Sequence, residues 1–148
     1  MPAWLRASLA WTLLSALAVA QDLRSVSEGI AAAERLGAAL ARVGDVDQDG
    51  FDDLAVGAPD AGSSVGGVAL VSSATGARIL AVAGGTPLGR LGAAVVAIDD
   101  LTSDGRPDLA VGAPGSGGAN AGTVHLLDGV TLASFGTIPG PAAGARFG

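Results

Sequence analysis

The sequence predicts an all-β protein built from repeated units of four short antiparallel strands. Two segments recur after 55 residues: Arg35–Ala39 is repeated at 90–94, and Asp53–Pro59 is repeated at 108–114. A third copy of the first segment opens at Arg146. The apolar runs between these segments are short and bounded by Gly- and Pro-rich turns, which is typical of strands. Four short strands in a unit of this length are the pattern of a β-propeller blade, because solenoid repeats are usually shorter.

The first 20 residues have the features of a secretory signal peptide. Arg6 supplies an early positive charge, the run at 7–20 is apolar, and Ala18-Val19-Ala20 matches a cleavage site. The alternative, an uncleaved anchor, usually requires a longer apolar stretch. We therefore expect residues 21–148 to be exported, either to a periplasm or to the extracellular space. Because they contain no other run of membrane-spanning length, we expect no membrane insertion after cleavage.

Each unit is predicted to contain four strands. In the first unit, about 35–89, the strands are expected at about 38–43, 54–56, 68–72 and 78–83, with a Gly/Ser-rich turn at 61–67. In the second unit, about 90–145, they are expected at 94–98, 109–111, 123–127 and 133–138. A third unit begins at 146, and residues 23–26 fit the register of a fourth strand preceding the first unit. Residues 31–34 have helix propensity, but the equivalent residues of the later copies are Gly/Pro-rich, so we expect no helix there.

The first acidic loop, residues 45–53, has oxygen donors at the spacing of a calcium site. Its candidate ligands are the side chains of Asp45, Asp47, Asp49 and Asp53 and the backbone carbonyl of Phe51. Gly50 allows the tight turn that points alternate carboxylates at one centre. Hard oxygen donors in this number suit Ca²⁺ better than a transition metal. The loop is not an EF-hand, because its twelfth position is Val56 rather than Glu, so the ninth-position aspartate would close the site.

These motifs resemble the FG-GAP repeat family, which forms the blades of the integrin alpha-chain N-terminal propeller and occurs in many bacterial secreted proteins. The family's "FG" corner matches Leu36-Gly37, Leu91-Gly92 and Phe147-Gly148, with Leu in place of Phe in the first two. Its "GAP" matches 57–59 and 112–114, and its calcium loop, D-x-D-x-D-G-x-x-D, matches 45–53 at every liganding position. The resemblance covers essentially all of 21–148. It implies propeller blades clamped by structural Ca²⁺, and it does not specify a ligand.

The second acidic loop, residues 100–108, departs from this pattern. Its candidate ligands are the side chains of Asp100, Thr102, Asp104 and Asp108 and the backbone carbonyl of Arg106. Thr102 brings no charge, and the Arg106 side chain adds repulsion, so we expect weaker calcium binding than in the first loop. A solvated acidic turn is the alternative for both loops. It is less attractive for the first, where four carboxylates within nine residues repel one another unless a cation is bound.

Composition and motifs argue against catalysis and nucleic-acid binding. The chain has a formal net charge of −6 and no cysteine, so thiolate metal sites and a basic patch are absent from the sequence. The only histidine, His125, lies in a strand on the face opposite Val124 and Leu126, where an ordinary sheet histidine is expected. The serines lie in turns and lack the Gly-x-Ser-x-Gly setting of a nucleophile. We therefore expect a non-enzymatic protein.

The sequence thus predicts a secreted, calcium-binding propeller module of adhesion type, with an unknown protein or glycan as its partner. The alternative from another class is the accessory propeller portion of a secreted glycan- or phospholipid-cleaving enzyme whose catalytic domain lies outside this sequence. A third hypothesis is a purely structural product without a ligand. Sequence beyond residue 148 would distinguish the first two, because it would contain either further blades or a catalytic domain.

Two blades do not close a ring, since propellers typically contain about four to eight. Because the third copy stops inside its motif at Phe147-Gly148, we expect a fragment of a longer propeller. Two further hypotheses are a ring assembled from several copies through exposed blade edges and a marginal two-blade module.

Overall fold

The computed structural model describes residues 34–148, and these form two four-stranded antiparallel sheets. The strands of the first sheet, blade one, are β1 Leu40–Gly44, β2 Asp53–Gly57, β3 Gly67–Val71 and β4 Arg78–Ala83. Those of the second sheet, blade two, are β5 Ala94–Ile98, β6 Asp108–Ala113, β7 Thr123–Leu127 and β8 Ser134–Pro139. In each sheet the strands lie side by side in chain order, so the predicted propeller-blade fold is confirmed.

The strand boundaries agree closely with those predicted, and three strands, β4, β5 and β7, have the predicted limits. Within the predicted turn at 61–67, the chain forms a short helical turn, Ala61–Ser64, in which Gly62 and Ser63 have φ values of 56° and 58°. The proposed signal peptide and the strand expected at 23–26 lie outside the described residues. In the described part of the chain, no helix has the length and hydropathy needed to cross a membrane.

One hydrophobic core lies between the two blades. Its buried residues are Val43, Ala55, Val68 and Leu70 from blade one and Leu91, Val95, Leu109, Val111, Ala113, Leu127 and Leu132 from the second unit. Because alternate residues of a strand point to opposite faces, each of these strands contributes every second side chain to this core. A smaller cluster of Val56, Ala69 and Val71 covers the opposite face of blade one.

The recurring Leu-Gly corner joins one blade to the next. Leu91 forms a parallel bridge with Gly66, donating its N–H to the Val65 carbonyl at 3.2 Å and accepting from Gly67 N–H at 2.9 Å. A Cβ on Gly92 would lie 2.3 Å from the Gly67 oxygen, so only glycine fits this approach. The FG motif of one unit therefore contacts the preceding unit beside its GAP motif.

The third copy docks on blade two in the same way. Phe147 bridges Gly122 in parallel and donates its N–H to the Ala121 carbonyl at 3.0 Å. The backbone of Gly148 crowds Gly112 as Gly92 crowds Gly57. Phe147 nevertheless stays 39% exposed, whereas Leu91 is 5% exposed, because Leu91 lies between two blades.

Candidate metal centre

The first acidic loop connects β1 to β2 and gathers three carboxylates. Oxygens of Asp45, Asp47 and Asp49 all lie within 4.8 Å of one another. Asp45 is half-buried, and the other two side chains are exposed. Among residues 34–148 this is the one group of three or more His, Cys, Asp or Glu side chains with such spacing. The alternation predicted from the sequence therefore brings these three residues together.

Local backbone hydrogen bonds shape this loop. Asp45 accepts N–H bonds from Asp49 and Gly50, both at 3.0 Å, and Asp49 in turn accepts one from Phe51 at 2.9 Å. Gly50 has a φ of 91°, which glycine adopts without strain. The loop thus folds around its own first aspartate, and local hydrogen bonds hold the three carboxylates on one side of the turn.

Asp53 lies outside the carboxylate group and is fully buried. Its Oδ2 accepts N–H bonds from Val46 at 2.8 Å and Asp47 at 3.3 Å, and its Oδ1 accepts from Ser73 at 3.2 Å. A carboxylate has about four lone-pair sites, so three of these are used by the backbone. Asp53 therefore ties the loop to the β3–β4 hairpin, and it retains acceptor capacity for one further partner.

A second link joins the loop to the same hairpin. The Ser72 hydroxyl, which is buried, donates to Asp49 Oδ2 at 3.3 Å. Sequence reasoning missed Ser72 and Ser73 as site residues, because the contact depends on how the β2–β3 register places a hairpin about 20 residues away along the chain. The polar Ser-Ser pair directly after a buried strand was the available signal.

The second acidic loop connects β5 to β6. Its last aspartate, Asp108, is buried and hydrogen-bonded like Asp53, but its other predicted ligands are arranged differently. Asp108 is fully buried and accepts N–H bonds from Leu101 at 2.7 Å, Thr102 at 3.0 Å and Gly129 at 3.3 Å. The Thr102 hydroxyl also donates to Asp108, at 3.2 Å. Asp108 thus has four hydrogen-bond donors, which is about its full acceptor capacity.

The other two carboxylates of the second loop, Asp100 and Asp104, are exposed. Asp100 accepts N–H bonds from Ser103, Asp104 and Gly105 at 2.6, 3.2 and 2.8 Å. These hydrogen bonds lower the pKa of Asp100 below its usual value. The bond from Gly105 contributes most, and those from Ser103, Asp104 and Thr102 contribute less. Asp104 accepts from Arg106 N–H at 2.8 Å. The three carboxylates of this loop do not come together as those of the first loop do.

Phe51 and Arg106 occupy the same position in the two loops. Each donates its backbone N–H to the aspartate two residues earlier, and the Phe51 side chain is 46% exposed. Neighbouring Asp52 is paired with Arg42 of β1, so its carboxylate is engaged away from the cluster.

The first loop fits a hard divalent cation better than the second. Three adjacent carboxylates repel one another, and a cation among them removes that repulsion. Carboxylate oxygens and a backbone carbonyl are the donors that Ca²⁺ accepts in its flexible coordination. In the second loop, the neutral Thr102 hydroxyl already closes the turn onto Asp108 by a hydrogen bond.

His125 is the one histidine of the sequence. It lies on β7 and lines a small space between the blades with Leu91, Ala113 and Ser116. Burial lowers the pKa of His125 below its ordinary value. In residues 34–148, no carboxylate lines this space, and the side chain faces away from Val124 and Leu126 as the strand alternation predicts.

Comparisons with known proteins identify the repeats. A family model described as the FG-GAP repeat matches residues 37–71 and 91–127. The chain is 39% identical over 98 residues to integrin alpha-8 of Gallus gallus, covering 59% of this chain and 9% of the relative. It is 36% identical over 90 residues to integrin alpha-V of Gallus gallus, covering 55% and 9%. It is 35% identical over 120 residues to integrin alpha-7 of Homo sapiens, covering 74% and 10%. The matched stretches thus span about a tenth of the length of these relatives.

Proposed function

The chain carries two FG-GAP repeats in an integrin alpha-like β-propeller arrangement, and from this premise we propose that it is an exported, non-enzymatic, calcium-binding module of adhesion type. The observation that carries the proposal is the group of Asp45, Asp47 and Asp49 in the loop between β1 and β2. Bound there, Ca²⁺ would offset two of the three carboxylate charges and hold the β1–β2 connection closed.

The ligands of the first site would be the three grouped carboxylates and the backbone carbonyl of Phe51, with Asp53 as the fifth donor. Asp53 would contribute through its remaining lone pair, since the others accept backbone N–H bonds. The second loop would bind Ca²⁺ more weakly through Asp100, Asp104 and the Thr102 oxygen, because Asp108 is already fully hydrogen-bonded.

A calorimetric titration with CaCl₂ tests this proposal. We expect saturable binding with a Kd of about 10⁻⁴–10⁻³ M, as in extracellular calcium modules. Asp47→Asn should abolish the tighter site while keeping the side-chain oxygen that accepts Asp49 N–H. Asp52→Asn removes an equal charge from the same loop, but from a side chain paired with Arg42, and should leave binding intact. Loss of binding in both variants, or in neither, would contradict the assignment.

We further propose that the outer face of blade two binds another FG-GAP blade, supplied by a second copy when this chain is studied alone. Its exposed side chains are Val96, Leu101, Phe135 and Ile138. The equivalent residues of blade one, namely Ala41, Val46, Ile79 and Val82, pack against the core between the blades. The face is therefore a repeat of one that already binds a blade within the chain.

The complementary face is present at the other end of the chain. Blade one carries Leu36, Leu54 and Val56 on its outer side, and these are the repeat equivalents of Leu91, Leu109 and Val111, which contact blade one. Head-to-tail docking would thus repeat the contact between blades one and two. A heterologous interface of this kind forms a ring if its rotation closes.

The binding partner proposed for a completed propeller is a protein or a glycan held by loops. The net charge of −6 disfavours nucleic acid. The alternative role, as the accessory propeller of a secreted glycan- or phospholipid-cleaving enzyme, gains no support from any side-chain arrangement within residues 34–148.

A further inference from the structure

A cavity of about 290 Å³ lies in blade two at the end of the sheet remote from the acidic loops. It is lined by Leu88, Arg90, Pro114, Gly115, Asn120 and Arg146. These residues belong to the connections between β4 and β5, between β6 and β7, and after β8. In a meander of antiparallel strands these connections lie at the end opposite the β1–β2 and β5–β6 loops. The cavity is thus separate from the candidate calcium centre.

The first unit shows what occupies the equivalent place there. The Asp60 carboxylate lies between two guanidinium groups, with Arg35 Nη1 at 3.4 Å from Oδ2 and Arg90 Nη2 at 3.2 Å from Oδ1. Both arginines precede the Leu-Gly corner of consecutive repeats, and both have positive φ values. One carboxylate in the first unit is therefore shared by the arginines of two successive repeats.

The second unit keeps the two arginines and lacks the carboxylate. The repeat equivalents of Arg35 and Arg90 are Arg90 and Arg146, and the equivalent of Asp60 is Gly115. The backbone confirms this equivalence, because Asp60 N–H donates to the Glu34 carbonyl at 3.3 Å and Gly115 N–H to the Gly89 carbonyl at 3.1 Å. Within residues 34–148, no acidic side chain lines the cavity.

The backbone prevents the chain from supplying that carboxylate itself. A Cβ at Gly115 would lie 2.0 Å from the Leu88 carbonyl oxygen, so a side chain cannot be added at this position without moving the backbone. The buried Nε of Arg90 has no hydrogen-bond partner among the described residues. A buried guanidinium N–H without an acceptor is energetically unfavourable, so Arg90, which lines the cavity, has unused donor capacity.

We propose that this cavity binds a carboxylate of another molecule, the aspartate or glutamate side chain of an acidic peptide. The carboxylate would take the place that Asp60 holds in the first unit, between Arg90 and Arg146. Planar guanidinium groups bind carboxylates with paired N–H donors, and Asn120, which also lines the cavity, carries a further polar side chain. The volume, close to the lower end of about 300–1,000 Å³ for ligand pockets, suits a single side chain rather than a large cofactor.

The test is an NMR titration of the chain with the capped peptide acetyl-Gly-Asp-Gly-amide, with the asparagine peptide as the neutral control. We expect saturable chemical-shift changes with the aspartate peptide, including a change at the Arg90 Nε–H resonance. We expect no such changes with the asparagine peptide. Arg146→Gln should weaken binding about tenfold, because a charge-assisted hydrogen-bond donor is lost. Arg78→Gln removes the same charge from a side chain that does not line the cavity and is not one of the two paired with Asp60, so it should change the affinity little.

Three results would overturn the proposal: no saturation, an equal response to the asparagine peptide, or equal weakening by the Arg78 and Arg146 variants. The titration is run with and without CaCl₂. Because the cavity and the acidic loops lie at opposite ends of the strands, carboxylate binding is expected in both conditions. Failure of the calcium assignment would therefore leave this result unchanged, and the two proposals can fail independently.

Discussion

At the residue scale, the two buried aspartates Asp53 and Asp108 decide how the acidic loops are held. Burying a carboxylate is unfavourable unless hydrogen bonds replace its water. Asp53 accepts three backbone N–H bonds, and Asp108 accepts three together with a hydroxyl. Each links its loop to the hairpin between the third and fourth strands of its blade. The loops are therefore fixed to the sheet through these anchors.

The anchor role predicts that Asp108→Asn destabilises the protein. The amide group keeps one acceptor oxygen but places N–H donors opposite other donors, which leaves buried groups unsatisfied. We expect a loss of about 2 kcal/mol or more in the free energy of unfolding, measured by urea denaturation. Asp104→Asn is the matched control, because its side chain is exposed in the same loop. Equal effects of the two substitutions would contradict the anchor role.

His125 predicts a dependence of stability on pH. Burial lowers its pKa in the folded state below 6.5, so the unfolded chain binds a proton more readily. This contribution to stability is present above the unfolded pKa and is lost as the pH falls from there through the folded pKa. Urea midpoints measured from about pH 8 to about pH 5 should therefore decrease, and His125→Gln should flatten that decrease. An unchanged slope in the variant would show that other groups are responsible.

Sequence reasoning could place the grouped carboxylates but could not assign the anchors. Asp45, Asp47 and Asp49 come together through local turns, which their spacing and Gly50 encode. The burial of Asp53 depends on Ser73, which reaches it only through the pairing of β2 with β3. Such a contact is set by tertiary structure, so the ninth-position aspartate could only be interpreted as a ligand.

At the element scale, the corner between units depends on two glycines that face each other. A Cβ on Gly57 would lie 2.1 Å from the Gly92 oxygen, and a Cβ on Gly92 would lie 2.3 Å from the Gly67 oxygen. The close approach lets Leu91 pair with Gly66, just before the start of β3 in blade one. The repeat motifs are thus explained by backbone packing between elements rather than by ligand binding.

This packing predicts that Gly92→Ala is strongly destabilising. Its φ of 86° is unfavourable for alanine, and the added methyl meets backbone atoms that cannot move independently. We expect a loss of about 2 kcal/mol or more in a denaturation experiment. Gly85→Ala, where no atom lies within 4 Å of the added methyl, should have a small effect. Similar losses for both variants would mean that the corner is not tightly packed.

The strands were predictable because turn residues separate them clearly. The β4, β5 and β7 limits match the prediction, and β2 and β6 extend further because their flanking residues also pair in the sheets. The helical turn Ala61–Ser64 was not predicted, since it depends on positive φ values at Gly62 and Ser63 within a Gly/Ser-rich turn. Local composition showed a turn there without giving its geometry.

At the scale of the whole molecule, each blade presents two different faces, and the core forms where unlike faces meet. Val43, Ala55 and Leu70 of blade one meet Leu109 and Val111 of blade two. The equivalents of the first set, Ile98, Ala110 and Leu126, lie on the outer side of blade two and are only partly buried. The sequence repeat predicts blades, but which face meets which is set by strand alternation and twist, and this required the structure.

The unlike faces predict concentration-dependent self-association of the chain. Sedimentation velocity should show an increasing weight-average sedimentation coefficient with concentration, because docking buries the exposed apolar side chains of blade two. Val96→Asp, at a side chain 56% exposed on that face, should keep the chain monomeric. Leu88→Asp, at a side chain 66% exposed in the β4–β5 connection, should not. A monomer at all concentrations would contradict head-to-tail docking.

The most direct test of the central claim, that Ca²⁺ clamps the first acidic loop, is the free energy of unfolding as a function of calcium concentration. A cation bound only by the folded state stabilises it by about 2.7 kcal/mol at a concentration of about 100 Kd. We predict this increase for the unaltered chain and for Asp52→Asn, and its loss in Asp47→Asn. An unfolding free energy that is independent of calcium, or an equal increase in all three proteins, would contradict the claim.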